Sequence, residues 1–335
     1  MCYDNAAEEN KRMKKTKNRK HVSICGFAAL TALAVLFASI SAHAAEAALA
    51  ARFKYDDSKP LNARWAGLQG NPYYNLYKVI YDSGNGEKVP ALYMEPKAAK
   101  RPFPCVILQH GYGGSKDNAK TMGGFDMAKA GYAVFAIDAQ YHGERRKPGK
   151  DMFSPDIEAD AAAMVQTVID LRRAVDLLQS REGVDPQRIT YLGVSMGAIL
   201  GSIVSGVEPR IQAPALVVGG GDWKTLLAES RIGPAKTIRT RIEKGQMGDI
   251  DEIAAELSYL EPLNFIGSIS PRPVLMINTK HDTIVPTSTN KLLHQKAREP
   301  KKVVWLDGVP GDPTGHIPPL KEMIELALEW WEKNL

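Results

Sequence analysis

Gly193-Val194-Ser195-Met196-Gly197 has the pattern Gly-x-Ser-x-Gly, and the residues on either side of it fit that pattern as well. The preceding run, Arg188-Ile189-Thr190-Tyr191-Leu192, is apolar and β-branched and predicts a buried strand. The following run, 198–204, predicts a helix. A serine on such a sharp strand-to-helix turn is held in a strained backbone conformation that lifts its hydroxyl clear of the sheet. Glycines are needed beside it because a Cβ would clash in so tight a turn. Ser195 is therefore the candidate nucleophile.

A serine hydroxyl reacts well only when a base takes its proton and a third group orients that base. Candidates for both groups follow predicted strands further along the chain. Asp282 comes shortly after the predicted strand 273–278, and His316 lies in the Gly/Pro-rich loop after the predicted strand 302–306. The order serine, aspartate, histidine is the one expected when the nucleophile sits on a strand-to-helix turn. Asp222 also follows a predicted strand and remains the alternative acid.

The loop after the predicted strand 104–109 is a candidate for the oxyanion hole, the site that binds the negatively charged oxygen of a tetrahedral intermediate. The apolar run 104–109 is followed by His110-Gly111-Tyr112-Gly113-Gly114, whose glycines allow the backbone to approach a substrate carbonyl closely. We expect the oxyanion hole to consist of the backbone N–H groups of Tyr112 and of Met196, the residue after the nucleophile.

Predicted strands and helices alternate along most of the chain, after a β-hairpin formed by 76–81 and 89–94. This alternation predicts an α/β fold with a mostly parallel central sheet and helices on both faces. It stops in the segment 222–269, where short amphipathic helical patterns appear instead. An insertion at this place lies over the carboxyl ends of the strands and predicts a helical lid or pocket wall. The alternative is that its apolar face is simply additional core.

Taken together, these segments resemble the α/β-hydrolase superfamily, and within it the serine esterases of the dienelactone-hydrolase-like and acetyl-xylan-esterase-like group. The resemblance spans roughly residues 76–335. The motifs that carry it, in the order of that family, are Val89-Pro90-Ala91-Leu92-Tyr93-Met94, His110-Gly111-Tyr112-Gly113-Gly114, Asp138 with His142-Gly143-Glu144-Arg145, Asp185-Pro186-Gln187-Arg188-Ile189, the Ser195 turn, Pro271-Arg272-Pro273-Val274-Leu275, Asp282 and Gly315-His316.

The resemblance implies an α/β-hydrolase fold and the cleavage of a small-molecule or saccharide ester by Ser195, His316 and Asp282. It implies neither a cofactor nor a metal. Asp138 and Arg145 are expected to join a buried polar network. Dienelactone hydrolases carry a cysteine at the nucleophile position, so the serine here favours an ordinary carboxylic ester.

Two other functions fit the same motifs. A serine peptidase of the prolyl-oligopeptidase type has a similar catalytic domain, but it usually carries a large additional N-terminal domain, and the irregular segment 45–75 is too short for one. A non-catalytic binding protein could use the same fold. It would have little reason to retain the nucleophile, acid, base and oxyanion hole together.

The first 44 residues predict a signal peptide. A basic region with seven Lys and Arg residues precedes an apolar run, 22–40, which ends near Ala42-His43-Ala44, small residues at the positions that a signal peptidase reads. Export to the periplasm or beyond the cell follows, without stable membrane insertion after cleavage. An uncleaved N-terminal membrane anchor is the alternative, because the apolar run is long for a signal peptide.

Without the predicted signal peptide, or leader, of residues 1–44, both the net charge and the number of cysteines are smaller. Of 43 basic and 38 acidic residues, the leader holds 7 and 3, so residues 45–335 carry 36 and 35. This near balance gives no reason to expect a nucleic-acid partner. Cys105 is the one cysteine of residues 45–335, so no disulfide forms within that segment.

We predict that the exported protein begins at Ala45, because the small residues at Ala42 and Ala44 direct cleavage after Ala44. Intact-mass measurement and N-terminal sequencing of the exported protein check this expectation. A product that keeps Met1 and the apolar run would instead identify a membrane anchor.

Overall fold

The computed structural model of this protein describes residues 46–335, and the predicted signal peptide lies outside them. The strands are β1 (Arg64–Leu68), β2 (Tyr74–Asp82), β3 (Lys88–Pro96), β4 (Phe103–Gln109), β5 (Ala133–Ile137), β6 (Val184–Val194), β7 (Ala215–Val217), β8 (Val274–Thr279) and β9 (Lys301–Leu306). The helices are α1 (46–51), α2 (Gly124–Lys129), α3 (Ile157–Gln179), α4 (Met196–Val207), α5 (Trp223–Glu229), α6 (Gly233–Glu243), α7 (Ile250–Glu256), α8 (Thr287–Lys296) and α9 (Leu320–Asn334). Short 3₁₀ turns lie at Lys116–Lys120, Gly143–Arg145, Ser258–Leu260, Pro262–Asn264 and Ile266–Ile269.

The strands form one sheet in the order β1-β2-β3-β5-β4-β6-β7-β8-β9. The first three strands and the pairing of β3 with β5 are antiparallel, and every pairing from β5 to β9 is parallel. The predicted hairpin is present, with Leu76 paired to Met94. From β4 the chain passes to β5 on one side and then returns to β6 on the other side. The position between β4 and β6, where the chain reverses its direction across the sheet, is a topological switch point. Ligands of open α/β sheets bind at such a point, outside the carboxyl ends of the strands.

Both faces of the parallel sheet are covered. On one face, Val106 and Leu108 of β4 pack in a buried cluster with side chains of α2 and α9, including Trp331. Successive side chains of a strand point to opposite faces, so Cys105 and Ile107 face the other side, where α3 and α4 contact the sheet. This two-sided burial explains why the strands β4, β5 and β8 are continuous apolar runs rather than alternating ones.

The structure differs from the sequence prediction in the segment 45–75 and in the helix expected after β4. Residues 46–51 are helical, and β1 pairs with β2 in a segment predicted to be irregular. β1 is an edge strand and mostly exposed, so it lacks the apolar alternation that identifies a strand in sequence. The sequence predicts one helix over 117–130, ending at Gly131, but the structure divides this segment into a 3₁₀ turn and α2, because Gly123 has a left-handed backbone.

The segment 222–269, where the sequence shows short amphipathic helical patterns, contains α5, α6 and α7. Each buries part of one face, as Leu226, Ile238 and Ile253 show. Within residues 46–335, none of the helices combines the length and the apolar character needed to cross a membrane.

A buried polar network fixes the loop that follows β5. Asp138 is fully buried, and its carboxylate accepts hydrogen bonds from the Lys116 N–H at 2.8 Å and the Glu144 N–H at 2.9 Å. The Arg145 guanidinium donates to the Asp138 carbonyl at 3.3 Å and to the buried carboxylate of Asp170 at 2.5 Å. The loop therefore depends on an ion pair that has little access to water.

We predict that Arg145→Met lowers the free energy of unfolding by about 3–5 kcal/mol, because it leaves the Asp170 carboxylate buried without its cation. The matched control is Arg146→Met at the exposed neighbouring position, which should change that free energy by about 0.5 kcal/mol or less. Urea unfolding followed by circular dichroism measures both. Equal losses in the two variants would contradict the importance of the buried pair.

Candidate active site

Ser195 joins β6 to α4 in a strained conformation, with φ 57° and ψ −119°. Its N–H donates to the Val217 carbonyl at 2.9 Å, which ties the turn to the neighbouring strand. The two glycines of the motif are required by close contacts. A Cβ at Gly193 would lie 2.2 Å from the Gly197 carbonyl oxygen, and one at Gly197 would lie 2.3 Å from that of Gln109. No side chain larger than hydrogen fits at either position without moving backbone.

The structure brings Ser195, His316 and Asp282 together in one hydrogen-bonded series. His316 Nε2 lies 2.9 Å from Ser195 Oγ, and His316 Nδ1 lies 2.7 Å from Asp282 Oδ2. The other Asp282 oxygen accepts hydrogen bonds from the N–H groups of Ile284 and Val285, at 2.8 and 2.9 Å. Because a carboxylate only accepts, Nδ1 must donate to it, which leaves the Nε2 lone pair free to accept from the serine hydroxyl.

The loop that carries His316 is held by Asp312. One oxygen of this carboxylate accepts from the Thr314 N–H and hydroxyl, at 2.9 and 2.6 Å, and the other accepts from the Ile317 N–H at 2.8 Å. Partial burial opposes ionisation, but these hydrogen bonds outweigh it and lower the pKa of Asp312 to about 2. Thr283 then links this loop to the acid, since its N–H and hydroxyl both donate to the Thr314 carbonyl.

The two candidate acids, Asp222 and Asp282, have different hydrogen-bond partners. Asp222 has a left-handed backbone at the start of α5, and its carboxylate accepts from the Thr225 hydroxyl at 2.5 Å. It makes no side-chain hydrogen bond to His316, whose Nδ1 partner is Asp282. Asp307, in the strand-to-loop region before His316, pairs with Lys280 at 3.0 Å.

The predicted oxyanion loop lies directly beside the serine. A Cβ at Gly111 would be 3.3 Å from Ser195 Cβ. The Gly114 N–H donates to the Gly111 carbonyl at 3.1 Å and forms a turn. The Tyr112 N–H, inside this turn, does not take part in that hydrogen bond. Met196 is the first residue of α4, and the first N–H groups of a helix have no intrahelical acceptor. Both predicted donors are thus placed where their N–H groups can serve a ligand.

The two histidines near this loop have structural partners. His110 Nδ1 donates to the Gly111 carbonyl at 2.7 Å, and its Nε2 accepts from the Ala139 N–H at 3.2 Å. Burial lowers the pKa of His110 to about 4, so the ring is neutral at physiological pH. His142 Nδ1 donates to the Gln140 carbonyl at 2.9 Å. Among residues 46–335, no three His, Cys, Asp or Glu side chains are grouped closely enough to hold a metal ion.

Two depressions meet at Tyr112. One is an apolar pocket of about 70 Å³ that reaches Ser195 and is lined by side chains of α4, α5, α6 and the loop after β8. The other is a polar cleft lined by cationic side chains, among them Arg146, Lys147 and Lys150. The Tyr112 hydroxyl donates to Asp151 at 2.6 Å, which fixes the ring between the two. The sequence predicted a pocket wall in 222–269. It did not indicate a role for Asp151, because its partner, Tyr112, is distant in the chain and no local pattern links the two residues.

Comparison with known proteins agrees with this architecture. The family model of acetyl xylan esterase (AXE1) matches residues 67–310, a range that includes Ser195 and Asp282 and ends before His316. The chain is 26% identical over 216 residues to Esterase YjfP of Escherichia coli K12, covering 63% of this chain and 82% of that protein. It is also 27% identical over 267 residues to a protein of Bacillus subtilis 168 named uncharacterized peptidase YtmA, covering 78% of this chain and 95% of that protein.

The fold matches that of a solved relative. The acetyl xylan esterase from Paenibacillus sp. R4 superposes with a TM-score of 0.71 and 24% identity, over 87% of this chain and 92% of the other. The predicted α/β-hydrolase fold is confirmed by this likeness. Because the family model covers most of the chain, the protein belongs to the acetyl xylan esterase (AXE1) family and is a carboxylic ester hydrolase.

Proposed function

We propose that this protein is an exported serine hydrolase that cleaves a small-molecule or saccharide ester through an acyl-enzyme, with Ser195, His316 and Asp282 as its catalytic triad. The observation that carries the proposal is the hydrogen-bonded series, with 2.9 Å from Ser195 Oγ to His316 Nε2 and 2.7 Å from His316 Nδ1 to Asp282. Separations of this size allow proton transfer between nucleophile and base. Export rests on the basic and apolar pattern of residues 1–44.

In the first half of the reaction, Ser195 Oγ attacks the acyl carbon while His316 Nε2 takes the hydroxyl proton. The tetrahedral oxyanion accepts hydrogen bonds from the Tyr112 and Met196 N–H groups, which stabilise negative charge as it develops. His316 then gives its proton to the leaving alcohol, and an acyl ester on Ser195 remains. Asp282 holds the tautomer of His316 and stabilises its cationic form.

In the second half, His316 takes a proton from water as that water attacks the acyl carbon. The same oxyanion donors stabilise the second tetrahedral intermediate, and His316 returns the proton to Ser195 Oγ as the acid leaves. The cycle needs only proton transfers and backbone donors that this chain supplies. The likeness to the peptidase YtmA makes amide cleavage the alternative activity, and a peptide p-nitroanilide tests it alongside the esters.

We expect Ser195→Ala to abolish labelling by a fluorophosphonate and to lower kcat/KM for a short-chain ester by about four orders of magnitude or more, because triad members act as a unit. The protein should still fold, since the change removes one atom at a turn. Labelling and ester hydrolysis are measured on the same preparation, with thermal unfolding as the control. A folded Ser195→Ala protein with near-parental ester turnover would overturn the proposed mechanism.

Asp282→Asn and Asp222→Asn test the acid as a matched pair. The first removes the charge beside His316 and favours the wrong tautomer, and it should lower kcat by about four orders of magnitude. The second changes a carboxylate bonded to Thr225 and should lower kcat by about tenfold at most, far below a triad loss. Both are compared at one pH with one ester. The assignment is wrong if Asp222→Asn is the inactive variant.

A further inference from the structure

The polar cleft beside the candidate active site has an excess of positive charge. It shares Tyr112 with the apolar pocket that reaches Ser195. The charged residues that line the cleft are three cations and one carboxylate, Arg146, Lys147, Lys150 and Asp151. Residues 45–335 carry 36 basic and 35 acidic side chains, so this local excess does not follow from the composition of the chain. A cleft lined by one sign of charge concentrates ligands of the opposite sign.

Two of these cations have no acidic partner. Within residues 46–335, neither the Arg146 nor the Lys147 side chain forms an ion pair, and both are exposed. The Arg146 guanidinium donates to the Gly113 carbonyl at 3.4 Å, so it lies against the predicted oxyanion loop. A guanidinium presents its N–H donors in a planar fork that matches the two oxygens of a carboxylate. A ligand can therefore supply the anion that the chain does not.

The carboxylates of this region are already bonded. One oxygen of Asp151 accepts from the Tyr112 hydroxyl at 2.6 Å, and the other accepts from the Met152 N–H at 2.7 Å. Asp156 pairs with Lys150 at 3.4 Å. These contacts leave the positive charge of Arg146 and Lys147 uncompensated.

The segment that carries the cations is held at both ends. Before it, buried Arg145 pairs with buried Asp170 at 2.5 Å, and after it Asp151 holds the Tyr112 hydroxyl. Between these anchors, residues 147–150 form a β-turn, in which the last N–H donates to the first carbonyl at 3.1 Å. A backbone that is already ordered loses less conformational entropy when a ligand binds.

Tyr141 lines the same cleft in a strained conformation, with φ 61°. The His142 N–H donates to the Ala139 carbonyl at 3.0 Å, so Tyr141 occupies the third position of a β-turn. Glycine is preferred at this position when φ is positive, because it has no Cβ. Strained residues of this kind cluster at ligand sites. The tyrosine adds an aromatic ring and a hydroxyl beside the cations, and a sugar can contact both.

We propose that this cleft binds the alcohol part of the substrate and that this part is a saccharide carrying a carboxylate, which Arg146 and Lys147 bind. The inference rests on the proposed attack by Ser195, because the leaving alcohol must lie beside the nucleophile and the cleft adjoins it at Tyr112. At about 30 Å³ for each water-sized group, a cleft of about 540 Å³ has room for a sugar ring with its substituents.

The test compares two acetylated sugars of nearly equal shape and different charge, methyl tri-O-acetylglucuronoside and its neutral glucuronamide. Acetate release by the purified full chain is measured at about 20 mM and about 500 mM NaCl, since the higher concentration screens exposed charges. At low salt we expect kcat/KM to be about fivefold higher for the acid, mainly through a lower KM, and at high salt about twofold higher at most. Equal kcat/KM for the two sugars at low salt, or a preference that salt leaves unchanged, would overturn the proposal.

Substitutions locate the charges that cause the preference. Arg146→Gln combined with Lys147→Gln should lower the low-salt preference for the acid to about twofold or less. The matched control, Lys97→Gln combined with Lys100→Gln, removes two exposed charges at the amino ends of the parallel strands, opposite the active site, and should keep the preference. A preference that persists without Arg146 and Lys147, or one that both double variants lose equally, contradicts the role of the cleft.

Failure of the proposed function has a different signature. Acetate release that survives in Ser195→Ala, or no release from any ester, contradicts the mechanism. Release that depends on Ser195 but does not favour the acid contradicts only the inference about the cleft.

Discussion

The sharp turn at Ser195 is the constraint on which the rest of the site depends. The turn exists because β6 ends and α4 begins within one residue, and a positive φ at a non-glycine residue is costly unless its surroundings hold it. Here the hydrogen bond from the Ser195 N–H to the Val217 carbonyl ties the turn to β7, and Gly197 lies so close to β4 that a Cβ there would clash with the Gln109 carbonyl. One consequence is that the serine hydroxyl stands above the sheet, where the loops after β4, β8 and β9 can reach it.

The position of the turn in the sheet is equally important. β4 lies between β5 and β6, so the chain changes direction across the sheet at this point. The loop after β4 and the start of α4 then lie beside Ser195, and in the proposed mechanism each contributes a backbone N–H, from Tyr112 or Met196, to the oxyanion. Donors that belong to the main chain of rigid elements need no reorganisation when negative charge develops. In the proposed mechanism the oxyanion site thus lies beside the nucleophile and uses no charged side chain.

Two carboxylates position His316, each in a different way. Asp282 contacts the imidazole directly, and its second oxygen is held by two backbone N–H groups that fix its orientation. Asp312 does not touch the ring but holds the loop that carries it, and its low pKa keeps this contact intact through the physiological range. Thr283 joins the two loops through its N–H and its hydroxyl, which both donate to the Thr314 carbonyl, so the separation of Asp282 and His316 is fixed by hydrogen bonds between the loops. The segment 222–269 makes a separate contribution, since its apolar side chains line the pocket beside Ser195.

The sequence by itself determined the order and spacing of the candidate catalytic residues and the class of the fold. Ser195 was identifiable because its turn requires glycines at fixed positions, and the parallel strands because burial on both faces demands continuous apolar runs. Only the tertiary structure shows that Asp282 is hydrogen-bonded to His316 and that Asp222 is bonded to Thr225, since both aspartates follow strands and their positions depend on how the loops close. It alone showed β1, an exposed edge strand held by backbone pairing, and the partner of the Tyr112 hydroxyl. These features depend on contacts between residues far apart in the chain, which leave no local pattern in the sequence.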